Sequence, residues 1–299
     1  MPWYELTSAD DPKLDELAKR YQLHPLHLED ARSPDERIKV DQSQHYTFVV
    51  LKPASIAAQS KDVSDAEDIQ FSTIDIFAGD HDGESFFITI AEPTCPTTTD
   101  ALARARRDGS DDKPSRLLYL ILDTIVDEYF PIIDHFDECF DDLENQVIQQ
   151  PEPETLQRVF SLKRTVVDLR RVLVGTRDVT LQLQRDPASL IDQQHQLYLR
   201  DVYDHVVRLL DSVETLRDLM ESAVDIYLSS VANRTNEVMK LLTLLGTIAT
   251  PVIVISGIYG MNLKGLPFED APHGATYAML LTAVVTVVLV WWLRKRKSL

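Results

Sequence analysis

The residues most able to do chemistry stand at a turn. Gly260, Met261 and Asn262 follow directly on an uncharged run of 19 residues, Leu241 to Tyr259. None of the three is an acid, a base or a nucleophile. What Asn262 offers is a neutral carboxamide oxygen. One such oxygen is a poor ion site, but a ring of them, one per subunit, can hydrogen-bond the water shell of a cation. Mg²⁺ dehydrates reluctantly and keeps several waters, so a neutral polar ring suits it. Gly257 and Gly260 permit close helix approach, or positive φ where the chain turns. Ahead of the turn, Asn236, Met239, Thr243, Gly246, Thr250, Ile253, Gly257 and Gly260 recur at spacings of three and four, which puts them on one helix face. That face is small and polar for a membrane span. It fits a pore lining, and it also fits helix packing through small residues.

Elements must hold these residues in place. A second uncharged run of 19 residues, Ala275 to Leu293, follows the turn. Roughly 20 apolar residues cross a ~30 Å hydrocarbon core, so the two runs predict two transmembrane helices, at 241–259 and 275–293. The alternative is a pair of buried helices in a soluble protein. Trp291 and Trp292 end the second run and Arg294, Lys295, Arg296 and Lys297 follow. Aromatic residues favour the interface and basic residues stay cytoplasmic, so the C-terminus is expected inside. Two spans place the N-terminus inside as well and leave only the loop 260–274 facing outward. The first residues have neither a basic n-region nor an apolar h-region, so no signal peptide is expected.

The charge of −18 hides a split. Residues 1–240 hold 46 of the 48 acids and 25 of the 30 bases; residues 241–299 carry a net +3. The acidic balance speaks against a nucleic-acid binder. Two cysteines, Cys95 and Cys139, build no disulfide framework and fit a reducing cytosol. There is no P-loop, no GxGxxG and no nucleophile–base arrangement, so no enzyme and no organic cofactor are expected.

Residues 1–114 predict a cytosolic α/β domain. Trp3–Thr7, Ile38–Val40, His45–Lys52, Ile69–Phe77 and Phe86–Ile90 have strand character. Pro12–Tyr21 and Pro25–Ala31 read as short helices, Ala54–Asp68 as a loop, and Pro93, Pro96 and Thr97–Thr99 as a break. Residues 115–188 read as a helical hairpin, interrupted at Pro131, with a second helix opened by Pro153 and running to about Arg185. Residues 117–157 hold eleven acids and no Lys or Arg, whereas 158–185 are basic. One reading is an antiparallel pair with complementary charge; the other is a surplus of acids that attracts cations toward a pore mouth. A third helix starts near Leu190 and meets no proline before Pro251, roughly sixty residues or about 90 Å at ~1.5 Å per residue, so a stalk at 189–240 continues into the first span. Its long apolar stripe suggests helices gathered in an oligomer. His24 and His27 lie three apart near Glu29 and Asp30 and read as ordinary surface or core histidines rather than metal ligands.

The chain resembles the CorA family of divalent-cation transporters. The resemblance rests on Tyr259-Gly260-Met261-Asn262, on the two-span C-terminus with its basic tail at 294–299, and on the stalk segment from Arg200 to Leu245. It implies a funnel-shaped homopentamer in the cell (inner) membrane, with the first spans lining a pore for Mg²⁺, and Co²⁺ or Ni²⁺ alongside it. Gly260, Met261 and Asn262 would form the selectivity filter. Asn236 would add a second polar ring, and Met239 with Leu242 an apolar constriction able to gate by dewetting. Thr250 departs from the bulkier Met of some relatives, which puts a second constriction in doubt. The resemblance also implies a regulatory Mg²⁺ between subunits, held by a stalk Asp that matches Asp201 and by an acid of the loop, for which Asp62, Asp65, Glu67 and Asp68 are candidates. Loss of that ion would let the subunits separate. Lys264 stands where many relatives have an acid, and it weakens cation attraction unless Glu269, Asp270 or a lipid phosphate offsets it. Gly265-Leu266-Pro267 is similar to ZntB-type zinc transporters. Three readings therefore compete: a Mg²⁺ channel, a proton-coupled zinc transporter, and a non-conducting membrane sensor or scaffold.

Overall fold

The computed structural model describes residues 1–33, 36–56, 69–91, 95–108, 113–185, 193–261, 265–267 and 273–295. They form two compact units, Met1–Asp225 and Ile226–Leu299.

The first unit is built on a five-stranded sheet. Its strands are β1 (Trp3–Leu6), β2 (Lys39–Gln42), β3 (Tyr46–Leu51), β6 (Ile74–His81) and β7 (Glu84–Ala91), in the order β1-β7-β6-β3-β2. All neighbours are antiparallel except β1, which lies parallel to β7. Every residue of β3 is buried, which explains its near-continuous apolar run: both faces of the sheet are covered. On one face, α1 (Pro12–Arg20) and α2 (Pro25–Ala31) supply Leu14, Leu17 and Ala31 to a core with Phe48, Val50, Phe77, Phe86 and Ile88. The rings of Phe48 and Phe77 stack at 4.5 Å, and those of Tyr21 and Phe86 at 4.0 Å. On the other face, α4 (Pro114–Asp127) packs against β6 and β7, with α3 (Pro96–Asp108) beside it. The two-residue turn between β6 and β7 places Asp82 at φ 53° and Gly83 at φ 81°, the pair of positive angles that a tight hairpin with native twist requires.

Three local expectations need correction. The run Ile69–Phe77 is two strands, not one: β5 (Ile69–Phe71) pairs with β4 (Ala54–Ile56), and β6 then enters the main sheet. The chain changes sheets at Ser72-Thr73, where the Ser72 amide donates to the Pro53 carbonyl at 2.9 Å. β4 itself begins the stretch expected to be all loop. Finally, Pro96 opens a helix instead of marking a break, because proline loses nothing at a first helical position.

The helical part of this unit continues with α5 (Tyr129–Gln149), α6 (Pro153–Arg185) and the start of α7 (Gln193–Gly260). The interruption between α4 and α5 falls at Glu128, three residues before Pro131, so the proline sits in the first turn of α5, where it is tolerated. α6 buries Val159, Leu162, Val166, Leu169, Leu173, Thr176, Thr180 and Leu183, and α7 buries Leu199, Val202, Val206, Leu209, Val213, Leu216, Met220 and Ala223. Both stripes step by three and four, the period of a coiled-coil seam. This part of the α7 stripe is covered by the chain itself and so is no argument for an oligomer.

The second unit holds the rest of α7 and α8 (Gly274–Lys295). α7 runs through Pro251 as one helix. Both helices are long and apolar enough to cross a membrane, and their apolar windows are only 6% and 0% buried. A core helix of a soluble protein would be covered; these need an apolar solvent or apolar partners.

Candidate functional site

On α7, Asn236, Met239, Thr243, Gly246, Thr250, Ile253, Gly257 and Gly260 share a face, and Leu242 adjoins Met239 on it. Met239, Leu242 and Ile253 are 58%, 62% and 67% exposed within the chain. The threonines do something specific. Thr243, Thr247 and Thr250 each donate their hydroxyl hydrogen to the backbone carbonyl four residues back, at 2.7–2.8 Å. With its hydrogen spent inside the helix, each hydroxyl presents only acceptor lone pairs outward, the polarity that suits the water shell of a cation. A Cβ added at Gly246, Gly257 or Gly260 would meet nothing within 4 Å, so no packing within the chain calls for glycine there. The missing side chains leave room for something outside the chain.

Past the end of α7, the Met261 amide reaches back to the Ile258 carbonyl at 3.3 Å. Tyr259 donates its hydroxyl to the Pro267 carbonyl at 2.6 Å, and Gly265 adopts φ 91°. Asn262, Lys264, Glu269 and Asp270 lie outside the described residues, as do the regulatory candidates Asp62, Asp65, Glu67 and Asp68.

Asp201, in the first unit, is the one regulatory candidate described. Its carboxylate is 70% exposed and lies 4.0 Å from Nε2 of His205, one turn along α7. Nδ1 of the same ring is 3.3 Å from Oδ1 of Asp127 at the end of α4, and Phe130 meets the ring edge-on at 5.7 Å. Arg104 of α3 closes the group: it reaches Asp127 at 3.9 Å, Asp123 at 2.9 Å and the Thr124 hydroxyl at 3.1 Å. Burial raises the Asp123 carboxyl, the nearby Asp127 raises it further, and Arg104 opposes both. His205 thus lies between two acids of different helices, and Arg104 offsets two. No group of three or more His, Cys, Asp or Glu side chains stands ready to hold a metal among the described residues.

Asp127, His205 and Arg104 were missed from the sequence as neighbours of Asp201. Asp127 belongs to the acidic run, but only tertiary packing selects it from eleven acids. The bases of α6 are shared between its two neighbouring helices. Arg170 pairs with Glu214 at 2.5 Å and Lys163 with Glu221 at 3.1 Å, so these bases of α6 reach α7, whereas Arg158 reaches the amide side chain of Gln146 on α5. Some α5 acids also crowd one another: burial, Asp134 and Asp141 all push the Asp137 carboxyl upward. His24 caps α2 by accepting from the Leu26 amide, and His27 bonds Tyr46 at 2.8 Å and stacks on Phe48, with burial lowering its pKa.

The family profile described as CorA-like Mg²⁺ transporter protein matches residues 1–295 of the chain. The chain is 36% identical over 282 residues to the cobalt/magnesium transport protein CorA of Thermotoga maritima, spanning 93% of this chain and 78% of that protein. Its fold matches the complete structure of the CorA magnesium transporter from Methanocaldococcus jannaschii with a TM-score of 0.78 at 25% identity, over 98% of this chain and 89% of that one. The cytoplasmic domain of ZntB from Vibrio parahaemolyticus is a more distant likeness, with a TM-score of 0.55 at 14% identity over 78% of this chain and 87% of that one, and it shares the fold alone.

Proposed function

This chain belongs to the CorA-like Mg²⁺ transporter family, and from that premise we propose that it is a Mg²⁺ channel driven by membrane potential and closed by intracellular Mg²⁺. As a family member it is a divalent-cation transporter with Mg²⁺ as substrate. Co²⁺ and Ni²⁺ are further candidate substrates. The observation that carries the channel reading is the α7 face, where threonines offer acceptors outward and glycines leave space. One helix encloses nothing, so the reading requires several copies; a homopentamer gathers five such faces around one axis. Residues 241–259 and 275–293 cross the inner membrane, both termini are cytoplasmic, and Gly260, Met261 and Asn262 form the outer filter. Asn236, Met239 and Leu242 form the inner constriction. Residues 1–114, the hairpin 115–188 and the stalk 189–240 make up the cytosolic part.

Such a route needs no chemical fuel. One charge crossing ~100 mV gains ~2.3 kcal/mol, so a divalent ion moving inward gains about 4.6 kcal/mol. Regulation rests on Asp201. Mg²⁺ keeps most of its waters and takes one or two carboxylates, so an exposed Asp201 facing an acid of a neighbouring subunit is a fitting half-site. His205 and Asp127 position that carboxylate when the ion leaves.

The test is Mg²⁺ entry into liposomes carrying the full chain, under an inside-negative potential. Entry that grows with potential and ignores a proton gradient is the expected result. Proton-driven Zn²⁺ entry without Mg²⁺ entry, or no flux of either, overturns the proposal. In the same vesicles, raised lumenal Mg²⁺ is expected to shut the wild type, while Asp201→Ala keeps conducting, about tenfold above wild type at millimolar lumenal Mg²⁺, a typical allosteric coupling. An unchanged Mg²⁺ response would remove Asp201 from the mechanism.

A further inference from the structure

The central strand of the sheet carries a carboxyl where the pattern calls for a hydrocarbon. Asp75 lies on β6, paired across the sheet with Val50 of β3 and Ile90 of β7. Val50 and Ile90 belong to the apolar core under α1 and α2, as does Phe77 two residues along the same strand. Asp75 is 5% exposed, and its Oδ1 has no hydrogen-bond partner. It borders a small cleft, where Asp10 and Arg32 are the charged neighbours; Arg32 is already held by Asp15 at 2.7 Å and by the Ala9 carbonyl.

The charged groups of the adjoining elements make matters worse for an anion. Asp30 of α2 and Glu36 ahead of β2 both disfavour a negative charge at Asp75, and only Lys39 of β2 favours it. Lys39 is itself committed to Asp30 at 2.7 Å, Glu36 at 3.1 Å and Asp41 at 3.4 Å. A carboxyl this deeply buried, with one oxygen unpartnered and no cation of its own, favours the protonated form. A metal is not the alternative, because no metal-holding group of acids is assembled among the described residues.

We propose that Asp75 is a proton-binding site of the N-terminal unit, loaded at neutral pH, whose emptying loosens α2 over the sheet and β2 at the sheet's edge. The reading is independent of the transport mechanism. Burial, Glu36 and Asp30 push the carboxyl up to about 8. The sign follows from linkage. In the folded state the proton is held to about pH 8, whereas the unfolded chain releases it at the ordinary carboxyl value. The packed state therefore gains most below that ordinary value and loses up to tenfold in its equilibrium constant per pH unit as pH rises toward 8, after which the dependence flattens. Alkalinisation across the cytosolic range thus acts on the segment that holds Asp30, Glu36 and Lys39.

The experiment is infrared spectroscopy of the full chain in detergent from pH 6 to 9, alongside amide hydrogen exchange of peptides covering β2, β3 and β6, corrected for intrinsic rates. The wild type is expected to show the carbonyl band of an un-ionised acid that disappears with a midpoint near 8, with protection falling as pH rises toward that midpoint and levelling off beyond it. Asp75→Asn, which keeps the shape and cannot ionise, is expected to lack the band and hold its protection across the range. Asp75→Leu, apolar like its neighbours, serves if the Asn variant does not fold. A wild type without the band at pH 7, or a band and a pH profile that persist in either variant, overturns the proposal.

Discussion

Asn262→Ala is expected to lower potential-driven Mg²⁺ entry by about a hundredfold while leaving the folding of the chain unchanged. Asn262 follows the end of α7 by two positions in the sequence. In an assembly of identical chains one substitution removes every carboxamide of the ring. A neutral hydrogen bond to an ordered water contributes ~0.5 kcal/mol at the low end of the usual range. In the pentamer proposed above, five of them together give about 2.5 kcal/mol, close to two decades in rate. The loss bears on selectivity as well as rate, since a ring without oxygens has no means of gripping a hydrated ion. Flux into liposomes, normalised to reconstituted protein, is the measurement. A variant that conducts within threefold of wild type would mean that the filter lies elsewhere, and the acceptor oxygens of Thr243 and Thr250 would be the next residues to change.

The helix that carries the proposed site is visible in the sequence because its signals are local. The α7 face follows from helical periodicity alone, and the turn is placed by the end of an uncharged run. Helix ends with proline at the first position were legible in the same way, as for α6, which starts at Pro153 and ends at Arg185. What escaped depends on contacts distant in sequence. Pro96 has the same local chemistry as Pro153, yet only the packing of α3 on α4 shows that it begins a helix and not a loop. The change of sheet at Ser72-Thr73 leaves no mark in residue type. The Asp82-Gly83 pair is the exception, a tight-turn signal present in the sequence and passed over. The neighbourhood of Asp201 belongs to the first kind of miss. His205 is one turn away and could have been paired with it, but Asp127 lies 74 positions earlier and Arg104 earlier still. Asp75 is a miss of another kind. In a run of alternating strand character, an acid reads as the solvated face, and here both faces are covered.

Gly79→Ala is expected to destabilise the first unit by about 3–5 kcal/mol, among the larger effects a single methyl group can have. Gly79 lies on β6, the central strand, opposite Tyr46 of β3 and Phe86 of β7. A Cβ there would stand 2.2 Å from the carbonyl oxygen of His45, 2.5 Å from Cα of Tyr46 and 2.7 Å from its Cβ. Two of these are backbone atoms, so no rotamer change relieves the overlap. The His45 carbonyl also accepts from the Asp80 amide at 2.9 Å, next door on the same strand, so moving it breaks a ladder bond. Tyr46 cannot retreat either, since its hydroxyl holds the His24 amide and the His27 ring, both at 2.8 Å. The strain therefore passes from the sheet into α2 and toward the segment that carries Lys39. A unit of this size loses roughly 2–4 °C in Tm per kcal/mol, so thermal unfolding of the full chain should shift down by roughly 6 °C or more. A shift under 2 °C would mean that β3 and β6 pair less tightly there than the register implies. Because the ladder at Gly79 and the proton site at Asp75 lie on the same strand, four residues apart, the variant also predicts faster amide exchange across β3 and β6 at every pH, in contrast to the pH-dependent loosening assigned to Asp75.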